Sequence, residues 1–307
     1  MTRFAPLAAA ALLALAPAVL GNYGIGLLTE CLIFAIFAMS LDLLIGYTGL
    51  LSFGHAAFFG LSAYAVVTLN VHLGVNGWLG LGAGIVLSTM FAVLVGAVSI
   101  RVSGIAFLMV TLAFAQLVFS AALKWRDVTG GTDGLGGLVR PRLFGSSLDN
   151  RVTMFYLAFA CLVASVWALR RLVAAPLGSV FIGIKENAAR MHALGYKVQR
   201  FRLLSFTIAG AFAGLAGGLY GLFNGYISTD ALNWSVSGDV VIMVILGGAG
   251  TIVGPAIGAA IFLVMKDVVS SWTDHWMFLI GAVFIACVMV LPQGVWGAVL
   301  QVTGRRR

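Results

Sequence analysis

Charged residues are scarce in this chain, and cysteine is nearly absent. Only 9% of the 307 residues are Asp, Glu, Lys or Arg, whereas soluble globular proteins carry about 25%. A soluble globular fold is therefore excluded. The three cysteines, Cys31, Cys161 and Cys287, lie far apart inside apolar runs. The sequence thus predicts neither a disulfide framework nor a metal site built on thiolates.

Catalytic and nucleotide-binding patterns are missing as well. The chain has no G-x-x-x-x-G-K-[ST] sequence, which a phosphate-binding loop needs. The four histidines are scattered without the paired spacing of metal ligands, and no Ser-His-Asp or Cys-His arrangement is suggested. We therefore predict that the chain is not an enzyme, has no catalytic residues, and binds no cofactor or metal.

Apolar residues are abundant instead. They make up 61% of the chain, and the mean hydropathy is +1.07. Runs such as 79–100 are long enough to cross a bilayer as a helix, which takes about 20 residues, and they lack the alternation of a transmembrane strand. The sequence predicts an all-α polytopic membrane protein with about eight or nine transmembrane helices. The candidate spans are 5–21, 26–46, 51–69, 79–100, 104–123, 152–169, 203–224, 238–266 and 277–291.

The first of these spans has a second interpretation. Arg3, an apolar run, and the small residues Ala16 and Ala18 also describe a secretory signal peptide. The sequence leaves both open, a retained helix or a cleaved signal over residues 1–21.

The cations are concentrated in one short region. Residues 170–202 hold seven cations and a single acid, Glu186. Because Lys and Arg accumulate in cytoplasmic loops, we expect 170–202 in the cytoplasm and 124–151 on the opposite face. The formal net charge of +8 then reflects membrane topology, and we expect no nucleic-acid partner.

Two apolar segments are interrupted by glycine. Segment 238–266 contains GGAG (247–250) and Gly254-Pro255, and segment 41–64 contains several separated glycines. Such breaks are tolerated at membrane depth only within protein or beside a cavity. We favour two half-helices that enter and return for 238–266, which brings the C-terminal arginines to the cytoplasm. A single span is the alternative.

Polar residues in these interrupted segments are candidates for a substrate path. Each also has a structural interpretation, since serine and threonine often bond their own helix, buried histidines pack between helices, and aspartates end helices. Asp42 and Glu30 would be the acids of an ion-coupled secondary transporter, which is the weaker alternative. The candidate path residues are Asp42, Tyr47, Thr48, Ser52, His55 and Thr251.

The basic region contains a predicted amphipathic helix over 179–194. Phe181, Ile184, Ala188 and Met191 share one apolar face, with Ser179 as the N-cap, Gly195 at the end, and a Glu186–Arg190 pair outside the stripe. Three interpretations stand: a solvated loop, an interfacial helix on anionic lipid, or a helix that docks on a cytoplasmic protein.

Three sequence blocks resemble the permease subunits of branched-chain amino acid ABC importers. They are PLGSVFIGIKENAARMHALGYKVQRFRLLSFTIAGAFAGLAGGLYG (176–221), GYTGLLSFGHAAFFGLSAY (46–64) and GGAGTIVGPAIGA (247–259), and the likeness extends from about residue 26 to residue 297. In that family the cytoplasmic helix is the coupling helix, which seats in a groove of the ATPase. The resemblance therefore implies coupling roles for Phe181, Ile184, Lys185, Glu186, Ala188, Ala189, Arg190, Met191 and Gly195.

The resemblance also implies an assembly and a cargo. It implies a second homologous permease, two cytoplasmic ATPase subunits, a periplasmic binding protein, and a multi-pass position in a bacterial inner membrane. The chain would be one transmembrane domain, 1–307, with halves 1–169 and 203–307 joined by the coupling loop 170–202. The implied cargo is branched-chain or related hydrophobic amino acids. Urea or short amides, carried by relatives, are the alternative.

Overall fold

A computed structural model of the chain describes residues 13–17, 20–143, 146–273, 275–290 and 293–302. In these residues the chain is almost entirely helical. After a short helical stretch at 13–17, the helices are α1 (Asn22–Asp42), α2 (His55–Leu73), α3 (Gly77–Ser99), α4 (Ile105–Lys124), α5 (Arg126–Thr129), α6 (Arg151–Ala174), α7 (Pro176–Ala193), α8 (Val198–Asn224), α9 (Trp234–Gly247), α10 (Val253–Trp272), α11 (Trp276–Val290) and α12 (Gly294–Val302).

Seven helical segments of the described chain are long and apolar enough to cross a membrane. The first of them joins α1 to a π-helical stretch, Leu43–Thr48, and two shorter apolar helices accompany the seven. The predicted all-α polytopic fold is confirmed. The first predicted span, 5–21, lies largely outside the described residues, as do the C-terminal arginines. The seven segments are Asn22–Thr48, α2, α3, α4, α6, α8 and α10.

Helix α8 is the central element of the bundle, because its glycines let neighbouring backbones approach closely. Gly217 lies against the backbone of Phe59 in α2. Helix α3 runs antiparallel to α8, with Gly77 beside Leu222 at one end and Gly96 beside Phe206 at the other. The bundle therefore has an α7 end, where α8 begins, and an opposite end, where α8 finishes.

The interruption between α1 and α2 lies inside the bundle. The π-helical stretch ends at Gly49, whose φ of 72° lies in the left-handed region that glycine adopts without strain. Residues 50–54 then run back without regular structure, and α2 begins at His55 with its second turn beside Gly217 of α8. The chain thus turns back within the bundle, as the predicted glycine interruption requires.

The predicted segment 238–266 is a helical hairpin. Gly254 and Gly258 of α10 contact the backbone of Gly247 and Met243 of α9, so the two helices are antiparallel. Helix α9 has 14 residues and is about 21 Å long, short of a full bilayer crossing. Helix α10 has 20 residues and is about 30 Å long. The half-helix prediction therefore holds for α9 and is wrong for α10.

A small layer covers the opposite end of the bundle. Strands β1 (Leu135–Gly136) and β4 (Tyr226–Ile227) pair, as do β2 (Arg142–Leu143) and β3 (Ser146–Ser147). Arg140 donates to the Leu222 carbonyl oxygen at 2.9 Å, satisfying a group at the end of α8. It also pairs with Asp149 at 3.1 Å. The Ser147 hydroxyl, and then Arg140, hold the pKa of the Asp149 carboxyl below its ordinary value.

Helix α7 differs in detail from the amphipathic helix predicted over 179–194. It begins at Pro176, with Ala175 rather than Ser179 at the N-cap, because proline is favoured in the first helical turn. Asn187 has non-helical torsions and breaks the helix, and its side chain accepts the Arg190 backbone N–H at 2.9 Å. The break separates Glu186 from Arg190, and no salt bridge joins these two described residues. The predicted Glu186–Arg190 pair is therefore wrong.

Candidate functional site

A buried aspartate joins the two interrupted segments. Asp42, at the end of α1, is fully buried. Its carboxylate oxygens accept the backbone N–H of Gly250 at 2.6 Å and that of Ile252 at 3.0 Å. Charge-assisted hydrogen bonds of this kind are about twice as strong as neutral ones. Asp42 therefore fixes the loop 248–252, between α9 and α10, against the end of α1.

The loop that Asp42 holds contains a strained residue. Ile252 has φ 60° and ψ −50°, and it is the one non-glycine residue with positive φ in the described part of the chain. The Val253 N–H donates to the Thr251 carbonyl oxygen at 2.7 Å, which completes a γ-turn centred on Ile252. A β-branched residue in this region costs about 1–3 kcal/mol unless its surroundings hold it there. The Asp42 carboxylate is one such constraint.

The π-helical stretch and α7 complete the same network. The Tyr47 hydroxyl donates to the Gly250 carbonyl oxygen at 2.9 Å. The Lys185 ammonium, on α7, donates to the Gly46 carbonyl oxygen at 2.7 Å. We refer to Asp42, Gly46 and Tyr47 with the loop 248–252 as the clamp. The clamp lies at the α7 end of the bundle and is bonded directly to α7.

Three of the predicted path residues have structural roles in the bundle: two of them make hydrogen bonds within their own segment, and the third packs between aromatic rings. The Thr48 hydroxyl donates to the Leu44 carbonyl oxygen of its own helix at 2.9 Å. The Ser52 hydroxyl oxygen accepts the Gly54 N–H at 3.2 Å. His55 is fully buried between the rings of Phe37 and Phe58, and neither ring nitrogen has a hydrogen-bond partner among the described residues.

A cavity of about 410 Å³ opens above the clamp, toward the opposite end of the bundle. Its size is typical of a site for a small ligand. Phe34, Phe59 and Tyr220 form one wall with ring centroids 5.1–6.0 Å apart. The wall-forming helices are α1, α2, α8, α9 and α10, and the exposed Asp230 and Tyr226 lie at the rim.

Charged and apolar side chains in this cavity are ordered along the helices. The charged groups of the three principal helices are Glu30 on α1, Asp239 on α9 and Lys266 on α10. Each has an apolar lining residue four positions away on the same helical face, and in each case the apolar residue is one turn nearer the clamp. These apolar partners are Phe34, Met243 and Phe262.

Three of the predicted path residues lie in the clamp, whereas the sequence did not indicate the cavity. Asp42, Tyr47 and Thr251 were predicted to line a path, and they lie together in the clamp, where the Thr251 hydroxyl donates to the Gly248 carbonyl oxygen at 2.7 Å. None of the six predicted path residues lines the cavity. The signal for it was the recurring spacing of a charge and a large apolar residue at i and i+4.

Helix α7 presents a different face from the one expected. Phe181 and Ile184 are 0% and 2% exposed, because they pack into this chain's own bundle. The thioether of Met191 folds back over Gly183 across the break at Asn187. The expectation that Phe181 and Ile184 contact an ATPase is therefore wrong, because these two side chains fix α7 to the bundle. Met191 is half-buried, and an ATPase contact at Met191 or Ala188 stays a prediction. Glu186, Ala189, Arg190 and Gly195 are exposed instead, Ala188 is half-buried, and Lys185 reaches the clamp.

The family profile described as "Branched-chain amino acid transport system / permease component" matches residues 24–288, which include the clamp, the cavity and α7. This chain belongs to that family. The permease is also similar to individual relatives, although no solved structure matches it.

Two of these relatives come from branched-chain amino acid transport systems. The permease protein LivM of Salmonella typhimurium is 27% identical over 301 residues, covering 91% of this chain and 71% of LivM. The permease protein LivH of Escherichia coli is 23% identical over 285 residues, covering 86% of this chain and 91% of LivH. The autoinducer 2 import system permease protein LsrC of an Enterobacter species is 28% identical over 266 residues, covering 75% of this chain and 73% of LsrC.

Proposed function

We propose that this permease is one membrane subunit of an ATP-driven importer and forms half of the pathway for branched-chain amino acids. The observation that carries the proposal is the arrangement of the site along the same helices: a cavity for a small ligand and, nearer the α7 end, a clamp that is hydrogen-bonded to α7. The names of LivM and LivH support the cargo.

ATP hydrolysis belongs to other subunits in this proposal. The sequence has no phosphate-binding loop motif, so two cytoplasmic ATPases would supply the energy. Uptake of radiolabelled leucine in cells should require those ATPases and persist when the proton gradient is collapsed. Uptake that is lost when the proton gradient is collapsed, and that persists when the ATPases are absent, would indicate an ion-coupled transporter instead.

A second, homologous permease would complete the pathway, and a soluble periplasmic protein would deliver the cargo. LivM and LivH both resemble this chain, which supports a pair of related subunits. Purification of an active complex that contains only copies of this chain as membrane subunit would contradict the heterodimer.

The whole chain acts as one transmembrane domain in this proposal, with α7 between its halves. Helix α1 of the first half packs against α8 and α10 of the second, and α2 and α3 pack against α8. Neither half therefore has a separate core. Co-expression of 1–169 and 203–307 as two chains without α7 should fail to restore uptake.

The α7 end faces the cytoplasm of a bacterium in this proposal, because residues 170–202 carry the dense positive charge. Cysteine in place of the exposed Ala189, in permease expressed without the ATPases that would cover this position, should react with a membrane-impermeant maleimide only from the cytoplasmic side of inner-membrane vesicles. Cysteine in place of the exposed Asp133 should react only from the periplasmic side. Labelling of both positions from one side would refute this topology.

The exposed face of α7 is the proposed ATPase contact. Ala189→Arg places a large charge at the centre of that face, so ATPase co-purification should fall at least about tenfold while permease yield is unchanged. Phe181→Ala empties a buried site and should cost about 3–5 kcal/mol of permease stability instead. Both quantities are measured by affinity purification and thermal denaturation in detergent. Unchanged ATPase binding in Ala189→Arg would mean that the ATPase docks elsewhere.

A further inference from the structure

The cavity has charged groups at one end and apolar groups at the other, as an aliphatic amino acid does. The inference drawn from this arrangement rests on the proposed function. We propose that the cavity itself binds the cargo: Glu30 and Asp239 hold its ammonium group, Lys266 holds its carboxylate, and its aliphatic side chain points toward the clamp. The permease would then select its cargo directly, in addition to any selection by a soluble protein.

First, the charged side chains of the cavity include both signs, as the two charges of a zwitterion require. Three carboxylates, including that of Asp230 at the rim, and one ammonium group line one cavity, and Lys266 interacts electrostatically with both Glu30 and Asp239. Ionisable groups at membrane depth are costly and mark sites where a charged ligand or ion is handled. A zwitterion brings one charge of each sign, so each charge of the ligand meets an opposite charge in the cavity wall.

The second argument is the ordering along the helix axes. On α1, α9 and α10 the charged residue lies one turn, about 5 Å, farther from the clamp than its apolar partner. An aliphatic amino acid has the same order, with both charges at one end and hydrocarbon at the other. Its side chain would contact Phe34, Met243 and Phe262, below the three charged groups.

The third argument concerns which ligands the cavity disfavours. A free carboxylic acid would place its single negative charge among the carboxylates of Glu30, Asp239 and Asp230. An amine without a carboxylate would lack the group that Lys266 binds in this proposal. Loss of one charge-assisted hydrogen bond between the ligand and the cavity wall weakens binding at least about tenfold. The aromatic wall of Phe34, Phe59 and Tyr220 disfavours small hydrophilic cargo in the same cavity.

A cysteine reporter tests binding directly. Val236 lines the cavity and is half-buried, so Val236→Cys would be introduced into the chain with Cys31, Cys161 and Cys287 replaced by alanine. The complete complex would be purified with its partner subunits and without the soluble binding protein. The rate of cysteine modification by N-ethylmaleimide would be measured against L-leucine, leucinamide (which lacks the carboxylate) and 4-methylpentanoate (which lacks the amine). Ser228→Cys, at the rim, serves as a second reporter.

L-leucine should slow modification, and leucinamide and 4-methylpentanoate should each need at least about tenfold higher concentration for the same protection. Asp239→Asn should raise the protecting leucine concentration at least about tenfold. The matched control Asp127→Asn, an exposed acid outside the cavity, should leave it unchanged.

Absence of leucine protection at both reporters, or equal protection by all three compounds, would overturn the inference. ATP-dependent leucine uptake by the complete system, measured in parallel, separates the two levels of the account. Uptake without protection refutes only the zwitterion site. Protection without ATP-dependent uptake refutes the proposed importer function and leaves the site standing.

Discussion

Gly46→Ala should abolish leucine uptake. A methyl group at Gly46 would overlap the Asp42 carboxylate and the backbone of Gly250 at the same time. Two of these obstacles are backbone atoms, which cannot rotate away as a flexible side chain can. The clamp would be wedged apart, and both hydrogen bonds of Asp42 to the loop would lengthen. The loss corresponds to about 1–3 kcal/mol for each charged hydrogen bond, or at least a tenfold fall in uptake.

The control for this substitution is Gly82→Ala. Gly82 is also a helical glycine of a membrane-spanning segment, but nothing lies within 4 Å of an added methyl group. Uptake of radiolabelled leucine and the amount of permease in the membrane would be measured for both variants. Normal uptake in Gly46→Ala would show that transport does not depend on close packing of the clamp.

Lys185→Met should uncouple ATP hydrolysis from transport. The methionine keeps an unbranched apolar stem but removes the ammonium group that bonds the Gly46 carbonyl oxygen. That hydrogen bond joins α7 directly to the clamp, and we propose that movement of α7 reaches the clamp through it. Leucine uptake should therefore fall at least about tenfold, because a charged hydrogen bond contributes about 1.5–3 kcal/mol. ATP hydrolysis and ATPase co-purification should persist, because the exposed face of α7 is unchanged.

Lys197→Met is the matched control. Lys197 also lies at the α7 end and is exposed, but it does not line the clamp. Its loss should leave uptake near the wild-type level. A fall in both uptake and ATPase binding for Lys185→Met would assign Lys185 to docking rather than to coupling.

Much of the fold could be predicted from local sequence signals. Long apolar runs define the spans because the bilayer sets their length, and the glycine breaks at 46–54 and 247–254 lie where the chain turns back. The alternative of a single span over 238–266 is wrong, because the chain turns at GGAG (247–250), where Gly248 and Gly250 take positive φ values. The length of α10 was missed because the hydrophobic run alone does not mark where the hairpin turns.

The site was harder to predict because its parts are distant in sequence. Asp42 was recognised as an unusual intramembrane acid, but its partners at Gly250 and Ile252 are about 210 residues away. The apolar stripe of α7 was predicted correctly as a stripe, but hydrophobic periodicity does not reveal which protein covers it. Phe181 and Ile184 are covered by this chain. The cavity is formed in part by side chains of α1, α9 and α10. The spacing of a charged and an apolar residue is visible in each helix by itself, but the sequence does not show that the three helices face one cavity.

We propose that α7 acts on the clamp through a fixed contact at Lys185. The position of a methyl group added at Gly49 is 3.6 Å from the Lys185 Cβ, which suits a disulfide. Because Gly49 has φ 72°, any side chain there is strained, and the Gly49→Cys single variant measures that effect by itself. In a Gly49→Cys, Lys185→Cys double variant, the hydrogen bond from Lys185 to Gly46 is lost. A disulfide would then join α7 to the clamp region in its place. The most direct test is ATP-driven leucine uptake by this variant in proteoliposomes, after oxidation with copper phenanthroline and again after reduction, with each single variant as control. We predict uptake in the oxidised protein and a large loss on reduction. Uptake that is blocked by oxidation and restored by reduction would refute the fixed contact, because α7 and the clamp would then have to separate during transport.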